Sequence, residues 1–88
     1  MKKNDLPIEI SHHARQQMQE RGVEQAEVIS AIREGQAEPA RRNRTMYRKN
    51  YQFDGVWRGR RYRIKQVAPV VAKESDSLIV VTVYAFYF

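Results

Sequence analysis

Residues 11–22 read Ser11-His12-His13-Ala14-Arg15-Gln16-Gln17-Met18-Gln19-Glu20-Arg21-Gly22, and from Thr45 onward the chain turns to runs of Tyr, Val, Ile and Arg. The first stretch is a helix bounded at both ends, because a hydroxyl at Ser11 can cap a run of helix formers that Gly22 then closes. Its apolar stripe is thin. Ala14 and Met18 stand alone at the i, i+4 spacing, so the helix should lie on a domain with one face left for other work. A second helix follows at once: Glu24 and Glu27 sit near its positive end, Val28, Ile29 and Ile32 form its buried face with Ala31 beside them, and Gly35 ends it. Together they read as a helical hairpin over residues 11–35.

The later half alternates in strand fashion and is broken by Asp54-Gly55 and by Glu74-Ser75-Asp76-Ser77, which predicts three strands near 45–53, 59–72 and 77–87 in an antiparallel meander. Pro69 has no N–H for a ladder, so it should mark a bulge or an edge position in the second strand. The last strand is apolar on both faces, with Leu78, Val80, Thr82, Tyr84 and Phe86 on one and Ile79, Val81, Val83 and Ala85 on the other, and is expected at the sheet centre. The expected fold class is α+β: two N-terminal helices packed on a three- to four-stranded antiparallel sheet, in a single domain over residues 1–88.

The chain length of 88 residues suits one small core and leaves no room for a second domain. With no cysteine there is no disulfide, thiolate metal site or catalytic thiol, which agrees with a reducing cytoplasm. Met1-Lys2-Lys3-Asn4-Asp5 leads into no apolar run of signal-peptide length, and Leu78 to Phe88 is too short to span a bilayer as a helix. The expectation is a cytoplasmic protein without a membrane segment.

The net charge of +6 is concentrated: residues 41–65 hold ten Lys and Arg against one acid, whereas residues 1–40 hold five against seven. Such a local positive potential suits phosphates, and RNA is the partner it points to, although a charge run also serves simply as a solvated strand face. Arg61, Arg63 and Lys65 alternate with Tyr62 and Ile64, so the spacing predicts three cations on one strand face. Arg41, Arg42, Arg44, Arg48 and Lys49 extend the candidate nucleic-acid-binding set, and Tyr47, Tyr51, Phe53 and Trp57 interleave with it as possible base-stacking rings or core. On the first helix His13, Gln17 and Arg21 recur at i, i+4 and i+8 and share a face.

The string from His13 to Val23, the acidic-apolar helix ending at Gly35 and the late Val81-Thr82-Val83-Tyr84 resemble a small bacterial family of unknown function with a His-Ala-x-x-Arg-x-x-x-Arg-Gly helix signature. That family is grouped with the RelE-like, BrnT-like and barnase-like ribonuclease toxins, and the resemblance runs from Ser11 to Tyr84. It implies a RelE/barnase-like fold, metal-independent cleavage of RNA by its own 2′-hydroxyl, no cofactor, and an antitoxin as protein partner. The chain departs from the signature at one place: Gln17 stands where the first arginine would fall, which removes one cation.

Cleavage of that kind needs a base, an acid and cations around one phosphate. His13, Arg21, Lys65 and Tyr84 are the candidates, with Thr82 sharing the strand face of Tyr84. On residue type alone Tyr84 reads first as a core tyrosine with a satisfied hydroxyl, because tyrosine is common in strands for packing. No metal site is expected, since His12-His13 lacks a spaced third ligand, and neither a glycine-rich phosphate loop nor a serine elbow is present. The alternative is a non-catalytic RNA- or DNA-binding or protein-interaction module, built on the basic strands and the aromatic end Tyr84-Ala85-Phe86-Tyr87-Phe88, with a homodimer through the C-terminal strand as one form.

Overall fold

The computed structural model of the chain describes residues 5–88. The Ser11 hydroxyl accepts the Ala14 N–H at 3.1 Å, and helix α1 (His12–Arg21) starts there. Gly22 ends it at φ 70°, a left-handed conformation, and a Cβ on this residue would come within 2.6 Å of the Trp57 ring, so both backbone and packing require glycine. Helix α2 (Gln25–Glu34) opens on a reciprocal capping box between Glu24 and Glu27. Ala14, Met18 and Gln17 are buried from α1, and Val28, Ala31 and Ile32 from α2, with Ile29 half-buried at the margin.

Among the described residues five strands form one sheet: β1 (Ile8–Ile10), β2 (Gln36–Ala40), β3 (Arg44–Trp57), β4 (Arg60–Lys73) and β5 (Leu78–Tyr87), in the spatial order β1-β5-β4-β3-β2. The second and third long strands fall where the sequence predicts them, whereas β3 runs past the expected break at Asp54-Gly55, which is a bulge inside it, and turns at Arg58-Gly59. The expected three- to four-stranded antiparallel sheet is corrected to five strands and a mixed sheet, because β1 pairs in parallel with β5 while the other three pairings are antiparallel. Three residues of Ile-Glu-Ile and a mostly exposed Gln36-Ala37-Glu38-Pro39 carry too little periodicity to announce strands.

The expected central position of the last strand is also corrected. β4 lies in the middle, and β5 is apolar on both faces because it packs α1 on one side and carries exposed rings on the other. Pro69 sits within this central strand rather than at an edge. The β3–β4 ladder skips it, passing from Met46–Val70 to Lys49–Val67, and the β4–β5 register shifts beside it between Val70 and Val71.

Both helices cover one face of the sheet, where Ala14, Met18, Val28 and Ile32 meet Val67, Val71, Val80 and Val83 in a single core. The other face carries no helix among the described residues. A further irregularity lies in the β3–β4 arm: the register shifts between Gln52 and Gly55, Asp54 takes φ 44°, and the N–H groups of Arg63 and Ile64 both reach the Phe88 carbonyl. This bulge resets the alternation. Tyr62 packs against Tyr87 on the helix side, as Lys65 does, and Arg61, opposite Val56, points to the other side. No helix is long and apolar enough to cross a membrane among the described residues.

Candidate nucleic-acid interface

Helix α1 runs beside β5 just past the point where β1 stops pairing with it. Two of its side chains take the place of a strand there: Gln17 Oε1 accepts the Val83 N–H at 2.8 Å, and Arg21 Nη1 donates to the Val83 carbonyl at 2.6 Å. Gln17 is thus explained by its buried position, since the Val83 N–H needs an acceptor and a guanidinium has none. Arg21 wraps the sheet edge, and its guanidinium carbon lies 5.5 Å from the Tyr84 ring centroid. Pairing of a second copy through this part of β5 would meet a ladder position already engaged on both groups.

Lys65 goes elsewhere. It is 6% exposed on the helix side, where its Nζ donates to the Gly22 carbonyl and to Glu27 Oε1 at 2.7 Å. Glu27 Oε1 also accepts the Glu24 N–H at 2.9 Å, so one carboxylate ties the start of α2 to the middle of the sheet. Of the four candidate catalytic side chains, then, Arg21 and Tyr84 come together at the sheet edge, and Lys65 is buried on the helix-covered face, away from the exposed Tyr84. His13 is exposed on α1, two helical turns before Arg21, and its side chain makes no hydrogen bond among the described residues.

The candidate binding cations divide in the same way. Lys49 faces α2, donating to Ser30 Oγ at 2.7 Å and to the Glu34 carboxylate. The Lys49 ammonium holds the Glu34 carboxyl below its ordinary range, and the lysine is raised in turn. Arg48 lies on the open face. Its Nε meets Glu38 Oε1 at 2.7 Å, its Nη1 meets Gln66 Oε1 at 2.9 Å, and its guanidinium sits 5.7 Å from the Phe86 centroid.

Arg41 and Arg42 are exposed on the turn between β2 and β3, and Arg44 opens β3 beside them. The turn takes left-handed backbone at Arg42 and Asn43, φ 61° and 60°, which projects the arginines from the sheet end. These three line an open groove of about 750 Å³ together with Met46, Thr82 and Tyr84. Arg61 and Arg63 are exposed at the far end of the molecule, toward the tip of the β3–β4 arm.

The rings interleaved with the basic stretch are occupied in packing. Tyr51 donates its hydroxyl to the Glu27 carbonyl at 2.9 Å, Trp57 stacks on Tyr87 at 4.9 Å, and Phe53 meets Tyr87 edge-on at 5.3 Å. The exposed aromatics are on β5 and just after it instead: Tyr84, Phe86 and Phe88 are 39%, 43% and 57% exposed. They belong to the aromatic end that the sequence offers as an interaction surface, and their two-residue spacing separates them from Tyr87, which packs on the helix side. Glu20, Glu27 and Glu34 belong to the helices, whereas Arg41, Arg42 and Arg44 line the groove of the open face beside the exposed Tyr84.

Among the described residues no three His, Asp or Glu side chains come together as a metal site requires. Comparison with curated proteins and with solved structures finds no match. A sequence model of one family, described as a domain of unknown function, matches residues 10–85, from the end of β1 through the α1 clamp on Val83 to Ala85 of β5. The chain therefore belongs to the DUF4258 family.

Proposed function

We propose that the protein binds RNA on the open face of its sheet and cleaves it without a metal ion, in the manner of the RelE/BrnT/barnase-like ribonuclease toxins that its helix signature resembles. One observation carries this reading: Tyr84, whose ring lies 5.5 Å from the Arg21 guanidinium, lines a groove together with Arg41, Arg42 and Arg44. Arginines of the groove hold phosphates of the strand, and Arg21 offsets the charge that builds on the phosphorane. In the reaction the 2′-oxygen forms a bond to phosphorus while the bond to the 5′-oxygen breaks. The 2′-hydroxyl proton passes to a base, for which His13 is the candidate, and the leaving oxygen takes a proton from an acid, for which the Tyr84 hydroxyl is the candidate. The products are a cyclic phosphate and a free 5′-hydroxyl. A protein partner that covers this face, as antitoxins cover toxins, belongs to the same proposal.

Binding without cleavage is the second reading, and a specific observation favours it. Lys65 is held in an internal ion pair and Gln17 caps a strand edge, so two positions that would supply cations to a catalytic centre are committed to the fold. The test is incubation of mixed-sequence RNA with the protein in chelator, with product ends examined for a cyclic phosphate. His13→Ala and Tyr84→Phe are expected to slow cleavage by roughly 100-fold or more while leaving RNA affinity largely intact. Retained binding with no cleavage selects the second reading. Absence of both removes the RNA proposal.

A further inference from the structure

We infer that Tyr84, Phe86 and Phe88 form a stacking platform for unpaired nucleobases, so that the ligand of the open face is single-stranded rather than duplex RNA; this rests on the RNA-binding reading above. Alternate residues of a strand share a face, and here Tyr84 and Phe86 lie side by side, both exposed, with the exposed Phe88 following the end of the strand. Tyr87, between Phe86 and Phe88, is packed against Trp57 and Phe53 on the helix side, so the strand does bury aromatics where the fold requires it. The exposure belongs to the open face alone. Tyr84 and Phe86 lie with centroids 6.3 Å apart and planes only 19° from parallel, a nearly continuous apolar surface.

The chemistry around the rings decides what covers them. Arg21 stands 5.5 Å from the Tyr84 centroid and Arg48 5.7 Å from that of Phe86, and Arg41, Arg42 and Arg44 ring the adjoining groove. Glu38, the carboxylate that β2 brings to this face, is already engaged by Arg48. Apolar planes edged by guanidinium groups complement a polyanion that also offers flat rings, and a nucleic-acid strand meets both requirements at once. A duplex meets only the first, because its bases cover one another and present phosphates and 2′-hydroxyls to a protein surface. An apolar protein segment would meet only the second.

The experiment measures the affinity of the full chain, by fluorescence anisotropy, for a short 2′-O-methyl RNA that cannot be cleaved. The same strand is also tested annealed to its complement and with its central bases removed. The single strand is expected to bind at least 10-fold more tightly than the duplex or the abasic strand. Phe86→Ala should lose on the order of 10-fold for the intact strand and almost nothing for the abasic one, with the salt dependence unchanged, and Phe86→Tyr should restore binding. Phe86 is on the surface, so circular dichroism of these variants should match that of the parent. Equal binding of duplex and single strand, or equal losses for intact and abasic strands, overturns the platform while leaving RNA binding in place. No binding to any of the three overturns the RNA-binding reading and the platform with it.

Discussion

Gln17 shows how a single side chain can mean one thing in a spacing and another in the fold. The i, i+4, i+8 series of His13, Gln17 and Arg21 reads as one helix face, and Gln17 reads as a missing cation. In the structure its amide oxygen is the acceptor for a strand N–H that β1 no longer covers. Gln17→Ala is therefore expected to lower stability by about 1–3 kcal/mol, the cost of leaving that buried N–H unpaired. Gln17→Arg should fare no better, since arginine has no acceptor, and Gln17→Glu should retain most of the stability. Urea denaturation checks this: if Gln17→Ala unfolds at the parent's midpoint, the edge is satisfied in some other way. Lys65 carries the same lesson in reverse. Its alternation with Arg61 and Arg63 is real in the sequence, but the bulge at Arg63 and Ile64 turns Arg61 to the far side and leaves Lys65 beneath α2.

At the scale of elements, α1 was legible from its Ser11 and Gly22 caps, α2 from its apolar face, and the three long strands from their β-branched and aromatic composition between turn residues. β1 and β2 were not, since their pairing is decided by the partners β5 and β3 rather than by their own residues. The β3–β4 arm is held to the helical side mainly through Tyr87. Its ring stacks on Trp57 and meets Phe53 and Tyr62, and its hydroxyl donates to the Arg21 carbonyl at 2.7 Å. Burial raises the Tyr87 phenol above its ordinary value of 10.0, the Glu27 carboxylate adds to this, and Arg58 opposes it. The sign of the consequence follows. Above its ordinary value the phenol loses its proton in the unfolded chain before it does in the folded one, so the unfolded state holds fewer protons and stability falls as pH rises. Urea midpoints compared at about pH 8 and about pH 10.5 should drop more for the parent than for Tyr87→Phe, whose unfolded chain has no phenol at this position to titrate. An equal drop in the two would mean that the Tyr87 environment does not govern alkaline unfolding.

The whole molecule is polarised across its sheet, and the polarity separates cations that a linear count of charge treats alike. Ten Lys and Arg lie between residues 41 and 65, yet Lys49 and Lys65 are paired with Glu34 and Glu27 on the helical side, whereas Arg41, Arg42 and Arg44 surround the groove of the open face. A strand bound on that face releases counterions only for phosphates met by the second group. Each such contact adds about 0.7 to the slope of log affinity against log salt for a single strand, so three arginines together contribute about 2. The Arg41→Ala, Arg42→Ala, Arg44→Ala triple variant should flatten the slope by that amount. Lys49→Ala should leave it nearly unchanged although it removes a formal charge from the same stretch of sequence. The measurement is RNA affinity between about 50 and about 200 mM salt for the parent and both variants. If Lys49→Ala flattens the slope as much as one groove arginine does, the strand lies against the helical side or the lysine leaves Glu34 to reach it, and the assignment of the open face has to be abandoned.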